Sequence, residues 1–182
     1  MAAELPRASE LARWRAEKDR FLKENRGSPL YGTPGFEGLA YYPERPELRV
    51  EVDVERPAEP ETVLLGTSSG DERLYLVYGV ARFELEGQAL SLTLFAPTDA
   101  PEGPRLFLPF ADATSGSETY GAGRYLDAQV VAPGRVLLDF NFAYHPYCAY
   151  AEGYSCPFPP PQNRLAVPVR AGERLPDEAD RA

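Results

Sequence analysis

The stretch that decides the fold is residues 74–93, LYLVYGVARFELEGQALSLT. Two runs of alternating apolar and polar residues lie in it, on either side of Gly87-Gln88. A period of two is typical of half-buried strands, and a two-residue loop that begins with glycine suits a type II′ turn. The pattern therefore predicts a β-hairpin in which Leu85 faces Leu90 and Phe83 faces Leu92 on one apolar face.

Apolar residues change their spacing within the same stretch. They occupy even positions at Leu74, Leu76, Tyr78 and Val80, and odd positions at Phe83 and Leu85. One extra residue in a strand produces such a switch. We therefore expect a β-bulge near Gly79 or Ala81.

Further strands are predicted on both sides of the hairpin. Alternation or short apolar runs identify Arg49–Glu55, Thr62–Gly66, Arg105–Pro109, Arg124–Val131, Val136–Phe140 and Leu165–Val169. Many short strands with local connections predict a mainly β fold, an antiparallel β-sandwich or a partly closed β-barrel.

One helix is predicted, over residues 9–24. Its apolar face contains Leu11, Trp14, Phe21 and Leu22, together with Lys18. We expect Trp14 and Phe21 to pack the helix against the β-rich body. At 182 residues the chain suits one domain, with residues 48–172 as the body and residues 173–182 as a frayed tail.

Composition argues against several classes of partner. The net charge is −9 and the basic residues form no block, which disfavours nucleic acid and an anionic membrane surface. The N-terminus is charged throughout and no apolar run approaches the roughly 18 residues of a membrane helix, so we expect a cytoplasmic protein. Arginine greatly outnumbers lysine and thermolabile residues are scarce, a usage that fits either a GC-rich or a thermophilic source.

The segment Asp139–Arg164 reads DFNFAYHPYCAYAEGYSCPFPPPQNR and contains both cysteines and the single histidine. Long irregular loops rich in polar and aromatic residues often carry function. The segment resembles the bacterial family known as domain of unknown function 1684. Matching motifs also occur upstream, at residues 14–19 (WRAEKD), 28–30 (SPL), 38–39 (GL), 110–114 (FADAT), 118–121 (ETYG) and 123–127 (GRYLD). One departure is His145, where the family pattern has Asn. The resemblance implies a site here, and the family brings no established activity with it.

Two polar segments are expected to meet around one pocket that binds a small anionic molecule, residues 112–125 and the loop 139–164. Arg124 would hold the anion as a bidentate clamp, flanked by Tyr120 and Tyr125. The predicted ligand-binding residues are Asp112, Thr114, Glu118, Tyr120, Arg124, Tyr125, Asp139, Asn141, Tyr144 and Asn163. A purely structural role for these residues also stays open. Asp and Asn side chains commonly hydrogen-bond the backbone of loops, and Arg124 has carboxylates nearby with which it could pair.

The two cysteines allow three interpretations. A disulfide between Cys148 and Cys156 would close a small loop and contribute roughly 2–3 kcal/mol. The alternatives are inert thiols that pack as small hydrophobes, or a zinc site with His145, although the spacing is not a standard zinc pattern. The disulfide is the favoured prediction.

Two other functions remain open on this sequence. A hydrolase would use a carboxylate such as Asp112 or Glu118 as general base, and His145 is a further candidate because imidazole titrates near neutrality. An interaction module would present Pro157–Pro161, a polyproline II stretch, to a protein partner.

Overall fold

The structure is a computed structural model, and it describes residues 7–177. Within that range the chain forms helix α1 (Arg7–Glu24) and nine strands. The strands are β1 (Ala40–Tyr41), β2 (Arg49–Glu55), β3 (Thr62–Gly66), β4 (Glu72–Leu85), β5 (Gln88–Ala96), β6 (Arg105–Phe110), β7 (Arg124–Ala132), β8 (Arg135–Asp139) and β9 (Glu173–Arg174). The loop after β8 contains short 3₁₀ turns at Phe140–Phe142, Tyr147–Ala149 and Pro161–Asn163.

Six strands form a closed antiparallel barrel in the order β2-β8-β7-β6-β5-β4, and β2 pairs back onto β4. Strand β3 extends the sheet beyond β4, and β1 pairs with β9 separately. The predicted mainly β fold with an N-terminal helix is confirmed, and the barrel is the form adopted. The interior is filled by inward side chains, among them Leu92, Leu94, Phe110, Leu126, Val136 and Phe140. Burial of each such side chain stabilises the fold by about 1.5–3 kcal/mol relative to exposure.

The predicted bulge is confirmed, and it closes the barrel. The register of β4 against β5 shifts between Val77 and Gly79. Before the bulge β4 pairs with β3, and after it Ala81 pairs with Val54 of β2. A Cβ on Gly79 would lie 2.4 Å from Val54 Cγ1 and 2.5 Å from Glu55 O. Because only glycine lacks this atom, Gly79 permits β2 to approach β4.

The hairpin exists, but its predicted register is wrong by two residues. The turn lies at Glu86-Gly87, whose φ angles of 51° and 78° are those of a type I′ turn. Phe83 therefore pairs with Leu90, and Leu85 pairs with Gln88. A shift of two residues leaves every side chain on its predicted face, because side chains alternate with a period of two.

Helix α1 packs on the barrel as expected, except at one residue. Leu11 and Leu22 are buried, and the Trp14 ring packs edge-on against Phe142 with centroids 5.0 Å apart. Phe21 is 47% exposed, so its predicted packing role is wrong. The side chain of Asp19 accepts hydrogen bonds from nearby backbone and tyrosine groups and fixes the segment that follows the helix.

Two predictions for the C-terminal part are also wrong. Leu165–Val169 is not a strand, because Val169 N donates to the Asp112 carboxylate and Val169 O accepts from Arg124 instead of a neighbouring strand. Glu173–Arg174 is strand β9, paired with Ala40 and Tyr41, and is therefore not frayed. Residues 178–182 of the predicted tail lie outside the described residues.

Candidate functional site

Arg124 lies inside the protein. Its side chain is 1% exposed, and Nη1 donates to Ala171 O at 2.6 Å and to Glu173 O at 2.9 Å. Nη2 donates to Val169 O at 2.7 Å and to Asp112 Oδ2 at 3.2 Å. Because protein acceptors occupy both terminal nitrogens, the predicted role of Arg124 as a ligand clamp is wrong. The guanidinium instead holds the C-terminal segment against the barrel.

Asp112 and Thr114 belong to the same buried network. Asp112 Oδ2 also accepts from Val169 N at 2.7 Å, and Oδ1 accepts from Thr114 Oγ1 at 2.6 Å. Thr114 Oγ1 also lies 2.9 Å from Thr119 Oγ1. All three side chains are buried. The predicted ligand contacts of Asp112 and Thr114, and the general-base role of Asp112, are therefore wrong.

Asp139 and Asn141 fix the connection between β8 and the segment before β2. Asn141 Oδ1 accepts from Arg45 N at 2.8 Å, and Nδ2 donates to Arg45 O at 2.9 Å. Asp139 Oδ1 accepts from Asn141 Nδ2 at 3.0 Å. The predicted ligand role of Asn141 is wrong, because both the oxygen and the nitrogen of its side-chain amide are hydrogen-bonded to other groups of the protein. Asp139 also lines a polar cavity of about 320 Å³ beside Trp14.

Asn163 connects two strands that diverge. Strands β5 and β6 pair in register at Phe95 and Phe107. Asn163 Oδ1 accepts from Thr93 N at 2.8 Å, and Nδ2 donates to Thr93 O and Pro109 O at 2.9 Å each. The side-chain amide thus replaces ladder hydrogen bonds that β5 and β6 cannot make directly. The predicted ligand role of Asn163 is wrong.

Glu118 and Tyr120 follow the same turn but point to different surroundings. Glu118 Oε1 accepts from Arg170 Nε at 3.0 Å, and Glu118 Oε2 accepts from Arg170 Nη2 at 3.0 Å. Hydrogen bonding to Arg170 lowers the pKa of Glu118, which opposes a general-base role at neutral pH. Tyr120 is half-buried, and its backbone N donates to His145 Nε2 at 3.2 Å.

A buried polar network that the sequence did not reveal surrounds Glu173. This carboxylate is fully buried and accepts from Lys18 Nζ, from His145 N at 2.7 Å and from Tyr150 OH at 2.9 Å. His145 Nε2 accepts from Tyr120 N at 3.2 Å, so Nδ1 carries the proton and faces Tyr150 OH at 3.0 Å. Burial, and then the charges of Arg124 and Lys18, lower the pKa of His145 to about 3.

His145 is therefore a neutral ring whose two nitrogens are both occupied. That geometry contradicts the general-base and zinc-ligand candidates at this position. Residues 7–177 contain no group of three or more His, Cys, Asp or Glu side chains placed to hold a metal ion. Cys148 and Cys156 are free thiols in the structure, the first half-buried and the second buried, so the predicted disulfide is not formed there.

A cavity of about 700 Å³ lies on the outer face of the barrel, under helix α1 and the loop after β8. Its walls are mainly aromatic. The aromatic lining consists of Trp14, Tyr75, Phe107, Tyr125, Tyr144, Tyr147 and Tyr154. Of the predicted ligand-binding residues, Tyr125 and Tyr144 line this cavity, and other lining residues come from the loop 139–164.

The floor of the cavity is a row of contacting rings. Tyr75 stacks on Phe107 with centroids 5.3 Å apart, and Phe107 meets Tyr125 edge-on at 4.8 Å. Tyr125 in turn meets Tyr144 edge-on at 5.8 Å. Tyr125 OH donates to Pro157 O at 2.6 Å, and Tyr144 OH donates to Asp127 Oδ1 at 3.0 Å. These bonds hold the rings in fixed orientations.

Charged groups at the cavity differ in how they are paired. Lys18 Nζ lies 4.7 Å from the Tyr144 ring centroid and is neutralised by the buried Glu173. Arg73, on β4, is exposed and donates through Nη2 to Ser155 O. Across the described part of the chain no carboxylate pairs with Arg73. Its remaining N–H groups are therefore available to an anion.

Several cavity residues lie outside the two predicted segments. Trp14 and Lys18 come from α1, Arg73 and Tyr75 from β4, and Phe107 from β6. The sequence pattern alone could have indicated Phe107. Its neighbours Leu106 and Leu108 are core residues, and because side chains alternate along a strand, Phe107 must face outward from the barrel. The others come together through tertiary packing of distant elements.

The proline-rich stretch is anchored at its start. Pro157 O accepts from Tyr125 OH, and Phe158 N donates to Gly66 O at 2.8 Å. The Phe158 side chain is 41% exposed. Pro157 thus lines the aromatic cavity, whereas residues 158–161 line a separate cavity with Gly121 and Arg164.

A closed six-stranded antiparallel barrel, with a helix and the loop after β8 lining an open aromatic cavity on its outer face, defines the structural class of this protein. The family model described as "Protein of unknown function (DUF1684)" matches residues 34–174, and the chain belongs to this family. It is also similar to the solution NMR structure of an uncharacterized protein of Haloarcula marismortui. That likeness has 39% identity and a TM-score of 0.72, and it covers 94% of this chain and 95% of the other.

None of the curated proteins matches this chain. Between residues 7 and 177, no helix is both long enough and apolar enough to cross a membrane.

Proposed function

We propose that the protein binds a small molecule with a flat apolar body and one anionic group in the aromatic cavity. The observation that carries the proposal is the row of rings Tyr75, Phe107 and Tyr125 beside Arg73, which pairs with no carboxylate among residues 7–177. A volume of about 700 Å³ matches the size of small-molecule sites, which are typically apolar with a few polar groups.

The apolar body would lie against the cavity floor. Phe107 is central there, because it contacts the rings on both sides. Aromatic pairs in offset or edge-on geometry contribute about 0.5–1.5 kcal/mol beyond the burial of their area. The hydroxyls of Tyr125 and Tyr144 are already bonded within the protein, so little side-chain entropy is lost on binding.

The anionic group would contact Arg73. The guanidinium offers a planar set of donors that fits a carboxylate, sulfonate or phosphate. Lys18 is a weaker candidate because Glu173 already compensates its charge. The role first assigned by sequence to Arg124 therefore passes to Arg73, which the structure leaves with unused donors.

The proposal is tested with 8-anilinonaphthalene-1-sulfonate, a fluorescent aromatic sulfonate. Fluorescence titration of the folded protein should give saturable binding, and Arg73→Ala and Phe107→Ala should each weaken it by about tenfold, which corresponds to about 1.4 kcal/mol. Arg82→Ala is the matched control, since Arg82 is an exposed arginine of the same strand paired with Glu55 away from the cavity.

Equal affinities for the wild-type protein and the two cavity variants would refute the proposed site. Loss of binding in Arg82→Ala to the same degree would show a nonspecific charge effect and also contradict it. Urea unfolding of each variant establishes that the titration reports on folded protein.

A further inference from the structure

Asp127 is an exposed carboxylate on the floor of the aromatic cavity. It pairs with Phe107 across strands β6 and β7, so its side chain lies beside the central ring of the floor. In the motif at residues 123–127 the four residues before it are buried, whereas Asp127 is exposed and lines the cavity. Packing therefore accounts for residues 123–126 and leaves Asp127 without a place in the core.

One oxygen of this carboxylate is fixed and the other is unused. Asp127 Oδ1 accepts from Tyr144 OH at 3.0 Å, which holds the side chain in place. Among residues 7–177 no donor bonds Oδ2, and no basic side chain forms an ion pair with Asp127. Lys18 lines the same cavity, but its charge is compensated by Glu173. Asp127 thus offers the cavity a negative charge and a free acceptor.

Arg73 and Asp127 lie on opposite sides of the cavity floor. Arg73 is on β4 and Asp127 is on β7, and strands β5 and β6 separate the two in the sheet. At about 4.8 Å per strand, β4 and β7 are about 14 Å apart across the sheet. Tyr75 of β4 and Phe107 of β6 stack on each other within this interval. The cavity therefore has a cation on one side of an aromatic floor and a carboxylate on the other.

We propose that the ligand of this cavity is a zwitterion, with an acid group at one end that contacts Arg73 and an ammonium group at the other that contacts Asp127. This inference rests on the proposed function and specifies the chemical class of its ligand. The ammonium donates to Asp127 Oδ2, the acceptor that the protein leaves unused. It also lies close to the Phe107 ring, because Phe107 and Asp127 are cross-strand neighbours, and aromatic rings attract cations through their faces.

The charge of the whole protein favours a zwitterion over a simple anion. The net charge is −9, and a field of that sign opposes the approach of a negatively charged ligand. A zwitterion carries no net charge. Its acid group can therefore contact Arg73 without a net repulsion of the ligand by the protein.

The test compares two biphenyl probes by isothermal titration calorimetry of the full chain at neutral pH. One probe is 4′-(aminomethyl)biphenyl-4-carboxylate, a zwitterion. The other is 4′-methylbiphenyl-4-carboxylate, which has the same rings and acid group but no ammonium. The wild-type protein should bind the zwitterion about fivefold more tightly, which corresponds to about 1 kcal/mol. Equal affinities, or tighter binding of the methyl compound, would overturn the inference and leave the proposed function standing. Binding of neither probe would overturn both.

Single variants test the assignment of the ammonium group to Asp127. Asp127→Asn keeps an acceptor for Tyr144 OH but removes the charge, so the two probes should bind this variant equally. Arg73→Ala should weaken both probes by a similar factor, because both have the acid group. Glu17→Gln is the matched control and should keep the preference for the zwitterion, since Glu17 is an exposed carboxylate of α1 that lines the same cavity. A preference that persists in Asp127→Asn, or that is lost to the same degree in Glu17→Gln, would refute the assignment. The comparison on the wild-type protein stands without the variants if any of them fails to fold.

Discussion

Replacement of Arg124 by methionine decides between a structural and a ligand-binding role for this arginine. The guanidinium donates to three backbone carbonyls and to the Asp112 carboxylate, all within the protein. Methionine retains much of the apolar stem and removes every one of these donors. Asp112 would then remain buried and charged, with neutral donors alone around it.

The expected cost is large. Removal of one partner of a buried ion pair typically destabilises a protein by about 3–5 kcal/mol. Domains of this size are stable by about 5–15 kcal/mol, so Arg124→Met should remove about a fifth or more of the stability. The matched control is Arg170→Met, because Arg170 also pairs with a carboxylate, Glu118, but is half exposed. Exposed pairs contribute about 1 kcal/mol or less.

Urea unfolding followed by circular dichroism gives the free energy of unfolding of each variant. A double-mutant cycle with Asp112→Asn isolates the pair, and the double variant should lose less stability than the sum of the single variants because no buried charge is left alone. An Arg124→Met variant that is no less stable than Arg170→Met would refute the structural role of Arg124.

Two further changes test other parts of the site. Asn163→Ala removes three buried hydrogen bonds between the loop and strands β5 and β6. Each group left unsatisfied costs about 1–3 kcal/mol, so the free energy of unfolding should fall by about 3 kcal/mol or more. A loss below about 1 kcal/mol in urea unfolding would contradict this. The ordinary pKa of histidine is 6.5, and the pKa of His145 in the folded protein is about 3. Between these two pH values the unfolded chain binds a proton at His145 that the folded protein does not bind. Stability should therefore fall with decreasing pH in this window by up to about 1.4 kcal/mol per pH unit from this group. His145→Gln should reduce that slope in urea unfolding across the same pH range, and an unchanged slope would count against a neutral buried imidazole.

Local sequence patterns were reliable where neighbouring residues decide the structure. The period of two in residues 82–93 placed each side chain on the correct face, and the change of parity predicted a bulge near Gly79 or Ala81, of which the structure has the first. The register failed, because the hairpin turn depends on which residue adopts a positive φ, and Glu86 does so although it is not glycine. Leu165–Val169 failed as a strand: Leu165 N and Val167 O bond the backbone of Ala111 and Ala113, but at Val169 the partners are the side chains of Asp112 and Arg124.

The sequence by itself determined a mainly β fold, an N-terminal helix, and the loop 139–164 as part of the candidate site, because periodicity and turn-forming residues act over short distances. Only the tertiary structure decided the use of the polar residues. Arg124, Asp112 and Asn163 have the same chemistry in a pocket as in a core, and burial with protein partners assigned them to the core. The aromatic cavity was likewise decided by tertiary packing, because Trp14, Tyr75, Phe107 and Tyr144 meet only after the helix, two strands and the loop have assembled around one face of the barrel.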